Sequence, residues 1–209
     1  AAEITGARGA NAQVLNEHTI TRDLVDNNIP VWVYNPFEKE APKSIISKEW
    51  SKESGILFID GRDHVSTISI SGFSMSWPGL LSKASGLLAK KNISIDNIVS
   101  SETEFTLTTY HHLDEATKQT LEHELQSMFW EEYTVNIKNN LWLIYCIGDN
   151  LSGHPGHMEK IAKTLADANI DIECLSQSRG QRAVTIGVSS EKLQDAISSL
   201  HQALIENKN

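Results

Sequence analysis

The chain has 209 residues, 40% hydrophobic and 22% charged, with 18 Lys and Arg against 27 Asp and Glu and a formal net charge of −9. That apolar share is enough to bury a core, which argues against global disorder, and the length suits one large domain or two to three small ones. The acidic balance repels phosphate backbones and there is no dense Lys/Arg run, so no nucleic acid partner is expected. No apolar run approaches the ~18 residues of a membrane span, so no membrane partner is expected either, and no signal-peptide pattern opens the chain.

The first residues, AAEITGARG, lack a Met and read as part of an element cut from something larger. Val14, Leu15, Leu24 and Val25 recur near a period of 3.6 and predict a helix over residues 10–27. IPVWVYN (residues 29–35) predicts a short strand, and a polar loop with Pro36 and Pro42 leads to a closing segment at residues 45–47. Residues 48–55 read as a charged linker. Strands are predicted at residues 56–60 and again from Val65, where residues alternate. Leu80, Leu81, Ala84, Leu87 and Leu88 then mark one face of an amphipathic helix, ended by Lys90, Lys91 and Asn92. Residues 93–101 and 104–111 predict two strands. Residues 114–129 predict a helix with Asp114 as N-cap, and residues 132–138 a strand. The order is β-α-β-β-α-β, the ferredoxin-like unit, and it starts at His64.

The pattern then restarts. Residues 141–149 predict an apolar strand, and residues 151–156 a loop. Met158, Ile161, Ala162 and Leu165 form a helix face. Residues 170–178 and 183–190 predict strands. Leu193, Ile197, Leu200 and Leu204 form a last helix face, with Ser190 as its cap. This second copy lacks a final strand, which would leave an open sheet edge. The spare strand at residues 56–60 is expected to complete it, which would intertwine the copies. The expected fold is therefore α+β, with two ferredoxin-like units in tandem. Cys146 and Cys174 sit in apolar strand-like runs and read as buried free thiols of a reducing cytosol.

WPGLLSKASGLLAKKNISIDNIVSSE (residues 77–102) and HPGHMEKIAKTLADANIDIECLSQSR (residues 154–179) align at a constant offset. Pro78 meets Pro155, Gly79 meets Gly156, Asn92 meets Asn169, Ile95 meets Ile172, and Ser101 meets Ser178; Asp96 meets Glu173. Internal duplication explains this. Core leucines and strand isoleucines repeat because the fold repeats. Pro-Gly is different, because it lies before the helix where the core does not dictate it. A helix start offers free N–H groups to a carboxylate, and Asp96 offers an acid to an amino group. A free amino acid carries both charges.

At these motifs the chain resembles the tandem ACT domains of aspartate kinases. The resemblance rests on residues 74–102 and on GDNLSGHPG through Ser178. It extends upstream, where residues 29–47 resemble the end of that family's catalytic domain and residues 10–20 one of its helices. Asn16, Glu17, Lys43 and Ser44 depart from the family's usual letters. The resemblance implies four segments: a remnant of the kinase catalytic domain (1–47), a linker and extra strand (48–63), a first ACT domain (64–140) and a second (141–209). It implies regulation by an amino-acid effector, lysine or threonine first, and a homodimer formed through the ACT domains. The kinase's nucleotide motifs are absent from this chain. ATP and Mg would thus belong to the parent kinase, which phosphorylates L-aspartate, and this fragment would need no cofactor and not catalyse.

The resemblance also assigns sites. In the first ACT domain the effector would meet the loop Ser74, Met75, Ser76, Trp77, Pro78, Gly79, Leu80 and Leu81, then Ile95, Asp96, Ser100, Ser101 and Glu102. Trp77, bulkier than its counterparts, could narrow that pocket. A second effector or interface site would use Asn150, His154, Gly156, Ile172, Gln177 and Ser178. The pair His154 and His157 has no third ligand at a convincing spacing, nor do His111 and His112, so no metal is expected. Other readings are a stand-alone ACT metabolite sensor, which the kinase-like first segment argues against, and an enzyme on a ferredoxin-like fold, for which no nucleophile–base or carboxylate pair is visible.

Overall fold

A computed structural model describes residues 24, 27–33, 37, 44–46, 55–72, 78–110, 112–129, 132–149, 151, 155–177 and 182–206. The helix predicted over residues 10–27 lies outside these except at its end, as does most of the predicted linker. Strands β1 (Val31–Val33) and β2 (Ser44–Ile46) pair antiparallel, with Trp32 opposite Ile45.

The rest is organised by two long strands, β3 (Gly55–Ser71) and β6 (Thr134–Asp149), paired antiparallel from Gly55↔Asp149 to Ser71↔Thr134. Around them lie α1 (Leu80–Lys90), β4 (Ile95–Ser100), β5 (Glu104–Thr109), α2 (Glu115–Met128), α3 (His157–Asp167), β7 (Cys174–Ser176), β8 (Ala183–Ser189) and α4 (Leu193–His201). The strand order is β4-β5-β3-β6-β8-β7. The second half of β3 pairs with β5 and with the start of β6. The end of β6 pairs with β8 and with the first half of β3. Each half is thus a four-stranded ferredoxin-like sheet, and the two halves share both long strands. Ile56, Phe58, Ile59 and Asp60 pair with Gly148, Ile147, Cys146 and Tyr145, so the early strand does complete the second sheet.

Alternation decides what each sheet buries. In the first, Ile68, Ile70, Phe105, Leu107, Val135 and Ile137 pack under Leu80, Ala84 and Leu88 of α1 and Leu121 and Leu125 of α2. In the second, Ile56, Ile144, Cys146, Val184, Ile186 and Val188 pack under Ile161 and Leu165 of α3 and Ala196 and Leu200 of α4. Each fully buried Leu or Ile contributes about 1.5–3 kcal/mol.

Three expectations need correction. The strands predicted at 56–60 and from Val65 are one strand, carried through the charged interval 61–64 by register shifts between Arg62, Val65 and Thr67. Residues 134–149 are likewise continuous, although polar Asn139 and Asn140 interrupt the apolar pattern. The interruption is used locally: Ser66 Oγ donates to Asn139 Oδ1 at 2.6 Å, and Asn139 Nδ2 donates to the Leu113 carbonyl at 2.9 Å. Finally, Ser190 does not cap the last helix. A 3-10 turn over Ser190–Lys192 comes first, and α4 begins at Leu193. Asp114 does cap α2, accepting from the Thr117 N–H at 2.7 Å.

Candidate functional site

The repeated letters now have physical reasons. Asn92 and Asn169 sit at φ 55° and 54°, the left-handed turn after α1 and α3 that Asn tolerates. Beyond them Ile93 N–H donates to Leu88 O, and Ile170 N–H to Leu165 O, both at 2.9 Å. Gly79 and Gly156 sit at φ 88° and 102° as the N-caps of α1 and α3. Among the described residues neither helix start has a side-chain cap, and a Cβ on either glycine would meet none of their atoms within 4 Å. Among the described residues nothing occupies either helix start, and N–H groups at such a start suit an anion. In α1 no acid lies in the first turn; in α3 Glu159 does.

The structure separates the first predicted set into two groups. The turn after α1 leads directly into Ile95, so Ile95 and Asp96 lie at the C-terminal end of that helix. Its eleven residues put Gly79 roughly 16 Å away along the axis. Ser100 pairs with Phe105 at the other end of the sheet, where Ser101 and Glu102 form the hairpin. Pro78, Gly79 and Leu81 are exposed, while Leu80 points into the core. The Ser101 hydroxyl serves its own hairpin, accepting from the Glu104 N–H at 3.1 Å. Ser74, Met75, Ser76 and Trp77 lie outside the described residues. In the second set, Gly156 heads α3, Ile172 packs against the second core and Gln177 follows β7. Asn150, His154 and Ser178 lie outside the described residues.

Asp96 has the most elaborate surroundings. A register shift between Ile95 and Asn97 opens β4 at this residue. Arg62 Nη1 lies 3.2 Å from Asp96 Oδ2, and both side chains are at most 10% exposed. The Tyr145 hydroxyl donates to the same oxygen at 2.5 Å. The Arg62 guanidinium stands 4.4 Å over the Tyr110 ring and 5.5 Å over the Tyr145 ring. Burial, then the Asp96 carboxylate, pushes the Tyr145 phenol well above its ordinary range. Arg62 and Tyr145 belong to the second sheet, and Asp96 and Tyr110 to the first. The cluster joins the two halves.

Arg62, Tyr110 and Tyr145 escaped the sequence reading. Arg62 lies between the two strands predicted at 56–60 and from Val65, though its spacing of two from Asp60 puts both on one face of a strand. A groove of about 320 Å³ also opens on the helix-free side of the first sheet, lined by Ser69, Thr106, Glu104 and Lys138, with Glu173 and Cys174 from the second unit. Burial raises the Cys146 thiol to about 12 and the Cys174 thiol to about 11. Among the described residues no His/Cys/Asp/Glu cluster could hold a metal ion, and no helix is long and apolar enough to cross a membrane.

Residues 144–204 match the family model of an ACT domain. The bifunctional aspartokinase/homoserine dehydrogenase of Haemophilus influenzae is 28% identical over 203 residues, covering 94% of this chain and 25% of that protein. The chain spans about a quarter to a third of the length of such curated relatives. The fold is shared with E. coli aspartokinase III, solved in complex with lysine and aspartate, at TM-score 0.77 and 23% identity over 96% of this chain and 45% of that one. It is shared too with the regulatory subunit of Thermus thermophilus aspartate kinase, at TM-score 0.60 and 18% identity over 71% of this chain and 98% of that one.

Proposed function

We propose that this chain, which is an ACT-type regulatory region of the aspartate kinase kind, senses a free amino acid and passes that state to a kinase domain. The observation that supports this reading is the pair of helix starts at Gly79 and Gly156, which no side chain among the described residues caps or obstructs and whose N–H groups suit a carboxylate. The first start is the better one, because α1 lacks an acid in its first turn. Asp96 supplies the countercharge for the ligand's ammonium group.

Within one chain these two groups lie at opposite ends of α1. A second copy resolves this. β4 is a terminal strand of the sheet order. Antiparallel pairing of two β4 edges would set the helix start of one copy beside Asp96 of the other, so the effector would bridge a homodimer. Lysine and threonine are the first candidates; the lysine complex of the E. coli relative supports the former. An effector that prefers one arrangement of the paired sheets shifts the population toward it, typically by about 1–3 kcal/mol. Residues 1–47 would belong to the catalytic domain of a cytoplasmic kinase that uses ATP and Mg to phosphorylate L-aspartate, with ACT domains at 64–140 and 141–209 behind a linker and extra strand at 48–63.

Thermal melting against single amino acids, with sedimentation to read mass, tests this. Lysine or threonine at millimolar concentration should raise the melting temperature of a dimer by several degrees. No shift with any amino acid, together with a monomer at high concentration, would overturn it.

A further inference from the structure

The acid expected to take the ligand's ammonium already holds a cation of the chain's own. Arg62 lies between the faces of Tyr110 and Tyr145, with its Nη1 on Asp96 Oδ2. An acid with two aromatic faces around a desolvated cation is the chemistry by which proteins recognise ammonium and guanidinium ligands. Here the cation is tethered, arriving on the first half of β3, the strand that completes the second sheet. Both protein partners of Asp96 use Oδ2.

We propose that Arg62 is a built-in competitor for the amino group of the effector: the Asp96–Tyr110–Tyr145 cage is a cation slot that the chain closes on itself, and an amino-acid ligand must take Asp96 from Arg62. This rests on the reading of Asp96 as the ammonium site. Because Arg62 and Tyr145 come from the second unit and Asp96 and Tyr110 from the first, the exchange of cations loosens the contact between the units, and binding is coupled to their arrangement. A buried pair stripped of one partner is strongly disfavoured. Arg62 thus holds the slot shut against weak ligands and sets the concentration at which the effector registers.

Calorimetric titration of lysine and threonine into the full chain reads the competition. Arg62→Met, which keeps the apolar stem and removes the cation, should bind at least tenfold more tightly than the unmodified chain. Tyr145→Phe keeps the ion pair but removes one of the two contacts to Oδ2, and should tighten binding about threefold; it serves where Arg62→Met does not fold. Asp96→Asn should abolish binding in every background. Independently, methylguanidinium at about 10 mM should raise the melting temperature of Arg62→Ala by several degrees and leave the unmodified chain and Arg62→Ala/Asp96→Asn unmoved. If the unmodified chain binds, Asp96→Asn does not, and neither Arg62→Met nor Tyr145→Phe changes the affinity, the competition is wrong and the effector reading stands. If methylguanidinium rescues Arg62→Ala but no variant binds an amino acid, both are wrong, and the cage is a structural clasp only. Absence of rescue in a folded Arg62→Ala also overturns the proposal, since the cage then does not recognise a free cation.

Discussion

The two ferredoxin-like halves share their topology and differ in what they place at equivalent positions. In the first, β4 runs six residues and carries Asp96, shielded and paired across to the other half. In the second, β7 runs three residues, and the matching Glu173 is exposed at the rim of a groove, its N–H donating to Gly187 O. The helix starts differ too. α1 begins without an acid, whereas Glu159 in the first turn of α3 complements the helix dipole and repels an incoming carboxylate. Duplication preserved the backbone devices, positive-φ Gly and Asn, and released the charges. The first half carries the shielded acid, and the second half reaches it through Arg62 and Tyr145.

The largest way to break this relation is to separate the halves. A Cβ on Gly148 would lie 2.0 Å from Gly55 O and 2.7 Å from Gly55 C, both backbone atoms that cannot give way. Gly148→Ala should therefore detach the start of β3 from β6 and cost about 4 kcal/mol or more, read by urea denaturation. Next, Asp96→Ala removes one partner of a shielded ion pair and should cost about 3–5 kcal/mol in the same assay, whereas Glu173→Ala should stay within about 0.5 kcal/mol. Equal effects at the two positions would deny that the halves have diverged.

A finer test uses the glycines. Ala at Gly79 or Gly156 meets open space but must adopt a positive φ, so each variant should lose about 1–2 kcal/mol of stability. Only Gly79→Ala should also diminish the melting shift produced by an amino acid. The smallest effect concerns Asp114, held below the usual carboxylate range chiefly by the backbone hydrogen bond from Thr117. The folded chain binds this proton less readily than the unfolded one. The stabilisation is therefore complete at neutral pH and is lost as pH falls through the lowered value. Melting curves of Asp114→Ala and the unmodified chain should differ at pH 7 and draw together as pH falls below the usual carboxylate range.

Much of this architecture was legible because its signals are local. The helix faces of α1 and α2, the Asp114 cap and the tandem β-α-β-β-α-β order follow from spacing within a few turns. The need for a strand to complete the second sheet was legible by counting, since the second copy stops one strand short. The candidate site was legible only in part. Pro78, Gly79 and Asp96 could be singled out by their repetition, but nothing in linear order tells that α1 holds the glycine and the acid apart.

The sequence by itself determined where each element begins and which side of it is apolar, because hydrogen bonding within a turn and alternation along a strand depend on near neighbours. Only the tertiary structure decided that the charged interval around Arg62 continues a strand rather than ending it. Only there, too, do Arg62 and Asp96, thirty-four positions apart, meet between two tyrosines. The physical reason is solvation. An arginine in a sequence reads as a residue for water, and it becomes an internal group only where folding delivers the carboxylate and ring faces that replace water around it.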